Sequence, residues 1–313
     1  MEEMKDAQEI KFKDRFVNRY SKLTDWDTFR KVSLTYLRRS VRINTLKKSV
    51  EEVKESLAKK GWILTPIPWC KEGFWVEHVE GRRDIGNTDE HCLGYIYVQE
   101  AASMIPPVVL GAKPGEMVLD MCAAPGSKSS QIAQNMNNEG VLVSNDFQGI
   151  RLAPLGINMQ RSGVRNVVVT LMQGQWFKDL EFDRILVDAP CSGTGTIRKS
   201  LKTLRIWNET MVKRLSGTQK HLLDTAFNNL KKGGTIVYST CSLEPEEDEG
   251  VVDFLITKYD NAKIEEIDLD IKRSPAVTSF DGKEYSPEVK KCLRIWPQDN
   301  DTEGFFVCKI RKL

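Results

Sequence analysis

Val118-Leu119-Asp120-Met121-Cys122-Ala123-Ala124-Pro125-Gly126-Ser127-Lys128 reads as a buried strand that breaks into a tight loop. Strand-like runs at 117–121, 141–145, 166–171, 183–188 and 234–239 alternate with helical stretches at 128–136, 149–162 and 205–231. That alternation predicts an α/β fold with a doubly wound, mainly parallel sheet. In such sheets ligands bind outside the carboxyl ends of the strands, where the loop 122–128 lies.

Working toward the amino terminus, the pattern changes. Residues 5–38 read as two helices, and Ser40-Val41-Arg42-Ile43-Asn44 alternates like a short strand. Ser49 is placed to cap an amphipathic helix with Val50, Val53 and Leu57 inward, ended by Gly61. Runs 62–67 and 73–79 add two strands. This β-α-β-β order describes a small α+β, RRM-like module of the kind many RNA-binding domains use. Residues 1–94 are assigned to this module with its leading helices, and 95–313 to the larger α/β domain.

A chain of 313 residues suits one large domain and a smaller one. No run approaches the roughly 18–20 apolar residues of a membrane helix, and the polar start Met1-Glu2-Glu3-Met4-Lys5-Asp6 is not a signal peptide. Seven cysteines without CxxC pairs argue against a disulfide scaffold and a zinc site, and for a reducing, cytoplasmic setting. His78, His91 and His221 lack ligand spacing, so no metal is expected. Cys70, Cys92, Cys292 and Cys308 read as small buried hydrophobes. Nothing demands more than a monomer.

The net charge of +2 does not imply nucleic-acid binding by itself. Residues 30–60, however, hold Arg30, Lys31, Arg38, Arg39, Arg42, Lys47, Lys48, Lys54, Lys59 and Lys60 against Glu51, Glu52 and Glu55. Such a patch can track a phosphate backbone. It equally describes a solvated helix face with i,i+4 ion pairs.

The loop Cys122, Ala123, Ala124, Pro125, Gly126, Ser127, Lys128 has one glycine, so the dinucleotide fingerprint is absent and pyrophosphate binding is disfavoured. Close backbone approach without a diphosphate suits S-adenosyl-L-methionine, whose amino-acid end can meet loop amides at a helix N-terminus. Asp146 ends the second strand, where an acid accepts from ribose hydroxyls; its alternative role is to cap the next helix. Arg151, one turn on, either anchors that acid or lies on the surface. A closing strand, Gly304-Phe305-Phe306-Val307-Cys308-Lys309-Ile310, is typical of cofactor-dependent methyltransferases rather than dehydrogenases.

Two cysteines close strands, in Asp188-Ala189-Pro190-Cys191-Ser192-Gly193 and Ser239-Thr240-Cys241-Ser242. Paired beside a nucleotide-type loop, they suggest covalent chemistry on a nucleobase. Carbon 5 of cytosine is a poor nucleophile until a thiolate adds to carbon 6 and makes it enamine-like. The reaction needs an activated thiolate, a group stabilising charge at ring nitrogen 3, and a base. Asp188 can hold the pyrimidine edge, Lys128 can lower a thiol pKa, and Pro190 can fix the Cys191 loop. Spacing does not say which cysteine attacks.

Residues 95–310 resemble the RsmB/Nop2/Sun family of RNA (cytosine-5)-methyltransferases. The matching stretches are 99–103, 120–128, Asn145-Asp146 with Arg151-Leu152, 188–195, and 238–242 with Glu244-Pro245-Glu246-Glu247. Arg294-Ile295-Trp296-Pro297 and Gly304-Phe305-Phe306 also match, and Arg42-Ile43-Asn44-Thr45 extends the likeness into the amino-terminal module. The resemblance implies a Rossmann-like methyltransferase domain using S-adenosyl-L-methionine on RNA. It implies Cys241 as the nucleophile, Cys191 in product release, Asp188 at the base and Lys128 in support. It also implies that 122–128, Asp146, Arg151 and Asp188 line the cofactor site. Gln173-Gly174 stands where the family often has an acid near the adenine, and an amide there can still hydrogen-bond it. Ser129, Gly250 and Gln298 are further departures.

The expected substrate is a structured RNA with a flipped target base, a tRNA first and an rRNA next. Two other readings are a non-catalytic RNA-binding assembly factor that kept the fold, and a DNA cytosine-5 methyltransferase. The latter would use Cys191 as nucleophile and leave Cys241 idle.

Overall fold

The computed structural model describes residues 1–313. Two short helices, α1 (Asp14–Tyr20) and α2 (Trp26–Ser33), come first. A small sheet follows, made of β1 (Ser40–Ile43), β2 (Trp62–Ile67), β3 (Cys70–His78) and β4 (Ile96–Val98). Helix α3 (Val50–Lys59) joins β1 to β2, and α4 (Asp89–Cys92) joins β3 to β4. The order β2-β3-β1-β4, antiparallel throughout, is a β-α-β-β-α-β arrangement. A capping box starts α3: Ser49 Oγ accepts from the Glu52 amide, and Glu52 accepts from the Ser49 amide. Val53 and Leu57 then pack on Val41, Ile43, Phe74 and Val76, with Val50 partly buried beside them.

β4 lies beyond the boundary placed between 94 and 95. Ile96, Tyr97 and Val98 pair with Ile43, Arg42 and Val41, so the small sheet draws its last strand from the segment assigned to the large domain. Three residues are too few for alternation to register.

Val41 and Ile43 face α3, and Arg42 between them points the opposite way, as a strand requires. It is 1 % exposed. Its Nε donates to Gln99 Oε1 (3.0 Å), its Nη2 to Ser130 Oγ (2.7 Å), and Nη1 bonds Gln134. Arg42 thus joins the two sheets and does not belong to the basic patch expected over 30–60. Much of that patch is self-paired: Lys48 with Glu52, Lys59 with Glu55, and Lys60 with Asp89 and Glu90.

After α5 (Ile105–Leu110) the large sheet begins with β5 (Met117–Asp120), α6 (Ser127–Asn135), β6 (Val141–Asp146), α7 (Gly149–Ser162) and β7 (Val167–Leu171). It continues through β8 (Phe182–Asp188), α8 (Lys202–Ile206), α9 (Glu209–Asn228), β9 (Leu230–Thr240) and α10 (Glu249–Lys258). The last elements are β10 (Ala262–Glu265), the hairpin β11 (Ser279–Phe280) and β12 (Lys283–Glu284), β13 (Leu293–Ile295), α11 (Pro297–Asn300) and β14 (Phe305–Lys312).

The strand order is β10-β14-β9-β8-β5-β6-β7, with β13 paired to β14. β5 to β9 are parallel, and β14 runs antiparallel to β9. Ile185, Leu186 and Val187 of β8 have no exposed surface, which is why this strand reads as an unbroken apolar run. The order reverses between β5 and β8, which opens a crevice at their carboxyl ends.

The single helix expected over 205–231 is two helices and the start of a strand. Asn208 interrupts it by accepting from the Met211 amide (2.8 Å) as the cap of α9. Trp207 turns into an aromatic cluster with Phe16, Tyr20, Phe29 and Trp296, which docks α1 and α2 on the large domain. Cys70, Cys292 and Cys308 are buried, but Cys92, at the end of the short α4, is exposed. No helix is long and apolar enough to cross a membrane.

Candidate active site

Strand ends of β5, β6, β8 and β9 supply the site. β5 ends at Asp120, and residues 122–126 turn into α6. Gly126 has φ +104°, a left-handed backbone conformation that favours glycine, and this lets the loop turn into α6. No side chain caps α6, which leaves its first-turn amides available. Ser129, in place of threonine, keeps the hydroxyl contact: its Oγ donates to Asp120 Oδ2 (2.7 Å). Asp120 Oδ1 is buried without a partner. Burial, opposed by the Ser129 bond and helped by Asp188, pushes the Asp120 carboxyl up to about 7. Burial likewise drives the Cys122 thiol upward, so this sulfur is a neutral wall.

Asp146 ends β6, and its oxygens accept from the amides of Gln148 (3.0 Å) and Ala124 (3.3 Å). Arg151 Nη1 stands 3.1 Å from Asp146 Oδ2, and the same guanidinium donates to the Ala124 carbonyl. Arg151 therefore anchors both acid and loop. The cap position of α7 belongs to Gln148, not to Asp146. Gln173 follows β7, exposed and without a side-chain hydrogen bond; the Met172 amide on Asp146 O (3.3 Å) keeps it beside the end of β6. The donor set suits an amino acid joined to a nucleoside. Uncapped α6 amides meet a carboxylate, and the unpartnered Asp120 oxygen meets an ammonium or hydroxyl donor.

The thiols come from the next two strands. Asp188 of β8 is in register with Ser239 of β9, so the loops that follow lie side by side. Cys191 Sγ and Cys241 Sγ are 3.2 Å apart. Lys128 Nζ is 2.8 Å from Asp188 Oδ2, and Ser239 Oγ donates to Asp188 Oδ1 (2.8 Å). Burial works against the Lys128 charge, but Asp188 and then Cys241 outweigh it, so its pKa is raised and it stays an ammonium. The hydrogen bond with Cys241, together with burial, drives the Cys191 thiol well up. Either sulfur can donate in this contact. The four residues singled out as catalytic, Lys128, Asp188, Cys191 and Cys241, stand together.

Several supports were not singled out from the sequence. Glu247 accepts from the Ser192 amide (2.9 Å) and Gln219 Nε2 (2.9 Å), and burial lifts its carboxyl to about 7. The Gly195 amide donates to Cys241 O (2.9 Å). Glu244 accepts from Arg19 Nε (2.7 Å), Tyr20 Oη (2.8 Å) and Trp207 Nε1 (2.7 Å), so α1 braces the segment after Cys241. Ser239 and Glu247 lie inside the motif stretches and could have been found there. Arg19 and Tyr20 carried no signal, because their partner is more than two hundred residues away. Gly250 fits in the first turn of α10, with its amide on Pro245 O (2.8 Å), and Gln298 Nε2 donates to Thr24 Oγ1 (3.0 Å).

Known proteins share this architecture. A family described as 16S rRNA methyltransferase RsmB/F matches residues 107–311, and the N-terminal domain of 16S rRNA methyltransferase RsmF matches 12–101. The two matches meet just beyond β4. A tRNA (cytosine(49)-C(5))-methyltransferase of Pyrococcus abyssi is 48% identical over 96% of this chain and 97% of its own. Ribosomal RNA small subunit methyltransferase F of Vibrio vulnificus is 44% identical over 88% of this chain, which spans 58% of that relative's length. A crystal structure of a methyltransferase homolog from Pyrococcus horikoshii superposes with a TM-score of 0.86 at 39% identity, covering 96% of each chain. With paired strand-end thiols and matches along nearly its whole length, the chain belongs to the RsmB/Nop2/Sun family of RNA (cytosine-5)-methyltransferases.

Proposed function

We propose that this protein methylates carbon 5 of a cytosine in a transfer RNA, with Cys241 as the attacking group. The observation that carries the reading is the Cys191–Cys241 contact beside the Lys128–Asp188 ion pair. S-adenosylmethionine, the cofactor of the family, supplies an electrophilic methyl group when bound. Residues 122–128, Asp120, Asp146 and Arg151 would hold it, with Gln173 near the adenine.

Cys241 Sγ adds to carbon 6 of a flipped cytosine, and the electron density it brings makes carbon 5 nucleophilic. Asp188, held on one side by Lys128 and on the other by Ser239, meets the pyrimidine edge. In its protonated form it delivers a proton to nitrogen 3, neutralising the charge that the addition places there. Once carbon 5 is methylated, it loses its proton to a base and the carbon–sulfur bond breaks. Cys191, already in hydrogen-bond contact, protonates the departing Cys241 sulfur.

A transfer RNA is favoured because the Pyrococcus abyssi tRNA enzyme matches end to end, whereas the rRNA enzymes are matched over little more than half their length. Transfer of labelled methyl from S-adenosylmethionine to bulk tRNA, compared with small-subunit rRNA, tests the substrate. Bisulfite mapping of cellular RNA with and without the protein then gives the position. No transfer to either RNA would sink the reading.

A further inference from the structure

A cavity of about 810 Å³ opens away from the thiol crevice, and neither Cys191 nor Cys241 lines it. It lies where the small sheet meets the large domain, in the volume range of ligand sites. Arg38, Arg39 and Arg83 rim it, and Glu100 and Glu303 line it as well. Two of the rim guanidinium groups are stacked: Arg38 lies 4.6 Å from the Trp75 ring centre and Arg83 5.0 Å from that of Tyr36. Arg39 is exposed and has no acid partner, whereas Arg38 pairs with Glu77 (3.4 Å) and Arg83 with Glu2.

The acid pair is the unusual part. The Glu303 amide donates to Glu100 Oε1 (3.1 Å). Glu303 is 4 % exposed, and its Oε1 is buried with no hydrogen-bond partner; the nearest cation, Lys199 Nζ, is 3.9 Å away. A buried acceptor left open costs about 1–3 kcal/mol unless a ligand completes it. The next residues lead to the thiols. The Gly304 amide donates to Gly195 O (2.9 Å), the Gly195 amide donates to Cys241 O (2.9 Å), and the Phe305 ring lies under Lys128 (5.6 Å).

A free anion would suit the arginines but not the acids. A nucleotide suits both, because it carries its charge on the phosphate and hydrogen-bond donors on the base and ribose. We propose that this cleft seats the RNA nucleotide adjacent to the target cytosine, with Arg39 on its phosphate and Glu303 Oε1 accepting from a base amino group or a ribose hydroxyl. The proposal rests on the reading of RNA as substrate and adds where the neighbouring nucleotide is read.

The test uses the full chain, bulk tRNA, and short oligoribonucleotides that vary the neighbours of one cytosine. Arg39→Ala, an exposed change, is expected to weaken tRNA binding about fivefold and to lower the salt slope of log K by about 0.7–0.9. Glu303→Gln is expected to flatten the parent's preference among neighbouring bases. If a 2′-deoxy neighbour abolishes the difference between parent and Glu303→Gln, the ribose hydroxyl is the donor; if the difference persists, the base amino group is. Unchanged affinity, salt slope and neighbour preference in both variants, in a parent that methylates RNA, overturn the proposal. A parent that methylates no RNA overturns the proposed function, and this inference with it.

Discussion

Cys191 Sγ and Cys241 Sγ, fifty residues apart in the chain, are in hydrogen-bond contact at 3.2 Å. The contact follows from the parallel pairing of β8 with β9, which brings the two loops out of the sheet at the same level. The contact and burial together hold the Cys191 thiol well above its ordinary pKa.

The two proposed roles separate the alanine variants. Cys241→Ala should lower methyl transfer by about 10³-fold or more and form no covalent RNA adduct. Cys191→Ala should instead accumulate the adduct, seen as a slow band on a denaturing gel with labelled RNA. Adduct lost in Cys191→Ala while Cys241→Ala stays active would reverse the assignment, as in the DNA-type reading.

Lys128→Met removes the cation 2.8 Å from Asp188 and leaves that carboxylate unpaired at the base-binding edge. The turnover rate at saturating substrates should fall about 10²–10³-fold. RNA affinity, measured by filter binding, should change little, because the ammonium is enclosed against Phe305 and Asp188.

Glu247 makes a pH prediction. Its folded pKa is raised from 4.5 to about 7 by burial, so the folded state holds a proton that the unfolded chain releases. Its stabilising share is complete below pH 4.5 and is lost as the pH rises to about 7. The slope in that window is up to about 1.4 kcal/mol per pH unit. Urea unfolding at pH 5 and pH 8 should show a smaller loss of stability in Glu247→Gln than in the parent.

Arg42→Ala would leave the acceptors of Gln99 and Gln134 unpaired between the two sheets. A cost of about 3 kcal/mol or more in urea unfolding is expected, against less than about 0.5 kcal/mol for Lys54→Ala on the solvated α3.

Gly195→Ala places a methyl group 2.1 Å from Gly304 O and 2.9 Å from Cys241 O, both rigid backbone atoms. The Cys241 loop must shift, so methyl transfer should be lost even where circular dichroism shows the fold retained. An active Gly195→Ala enzyme would mean that this loop does not need its present position.

The parallel strands were legible because burial on both faces makes them unbroken apolar runs, as in Ile185-Leu186-Val187. Ser49 as a cap, with Val50, Val53 and Leu57 at helical spacing and Gly61 beyond, announced α3 by a local rule. β4 and β13, three residues each, were too short for any period. The long helix was overextended because Trp207 looks like another apolar position until its aromatic neighbours are known.

The residues alone determined the doubly wound sheet, the tight loop at 122–128 and the two strand-end cysteines, since each depends on nearest neighbours along the chain. Only the tertiary structure decided that Cys191 touches Cys241, that α1 braces Glu244, and that Arg42 is buried between sheets. Those contacts join side chains from 50 to 225 residues apart. Such distances are closed by packing and strand order, which no local pattern encodes.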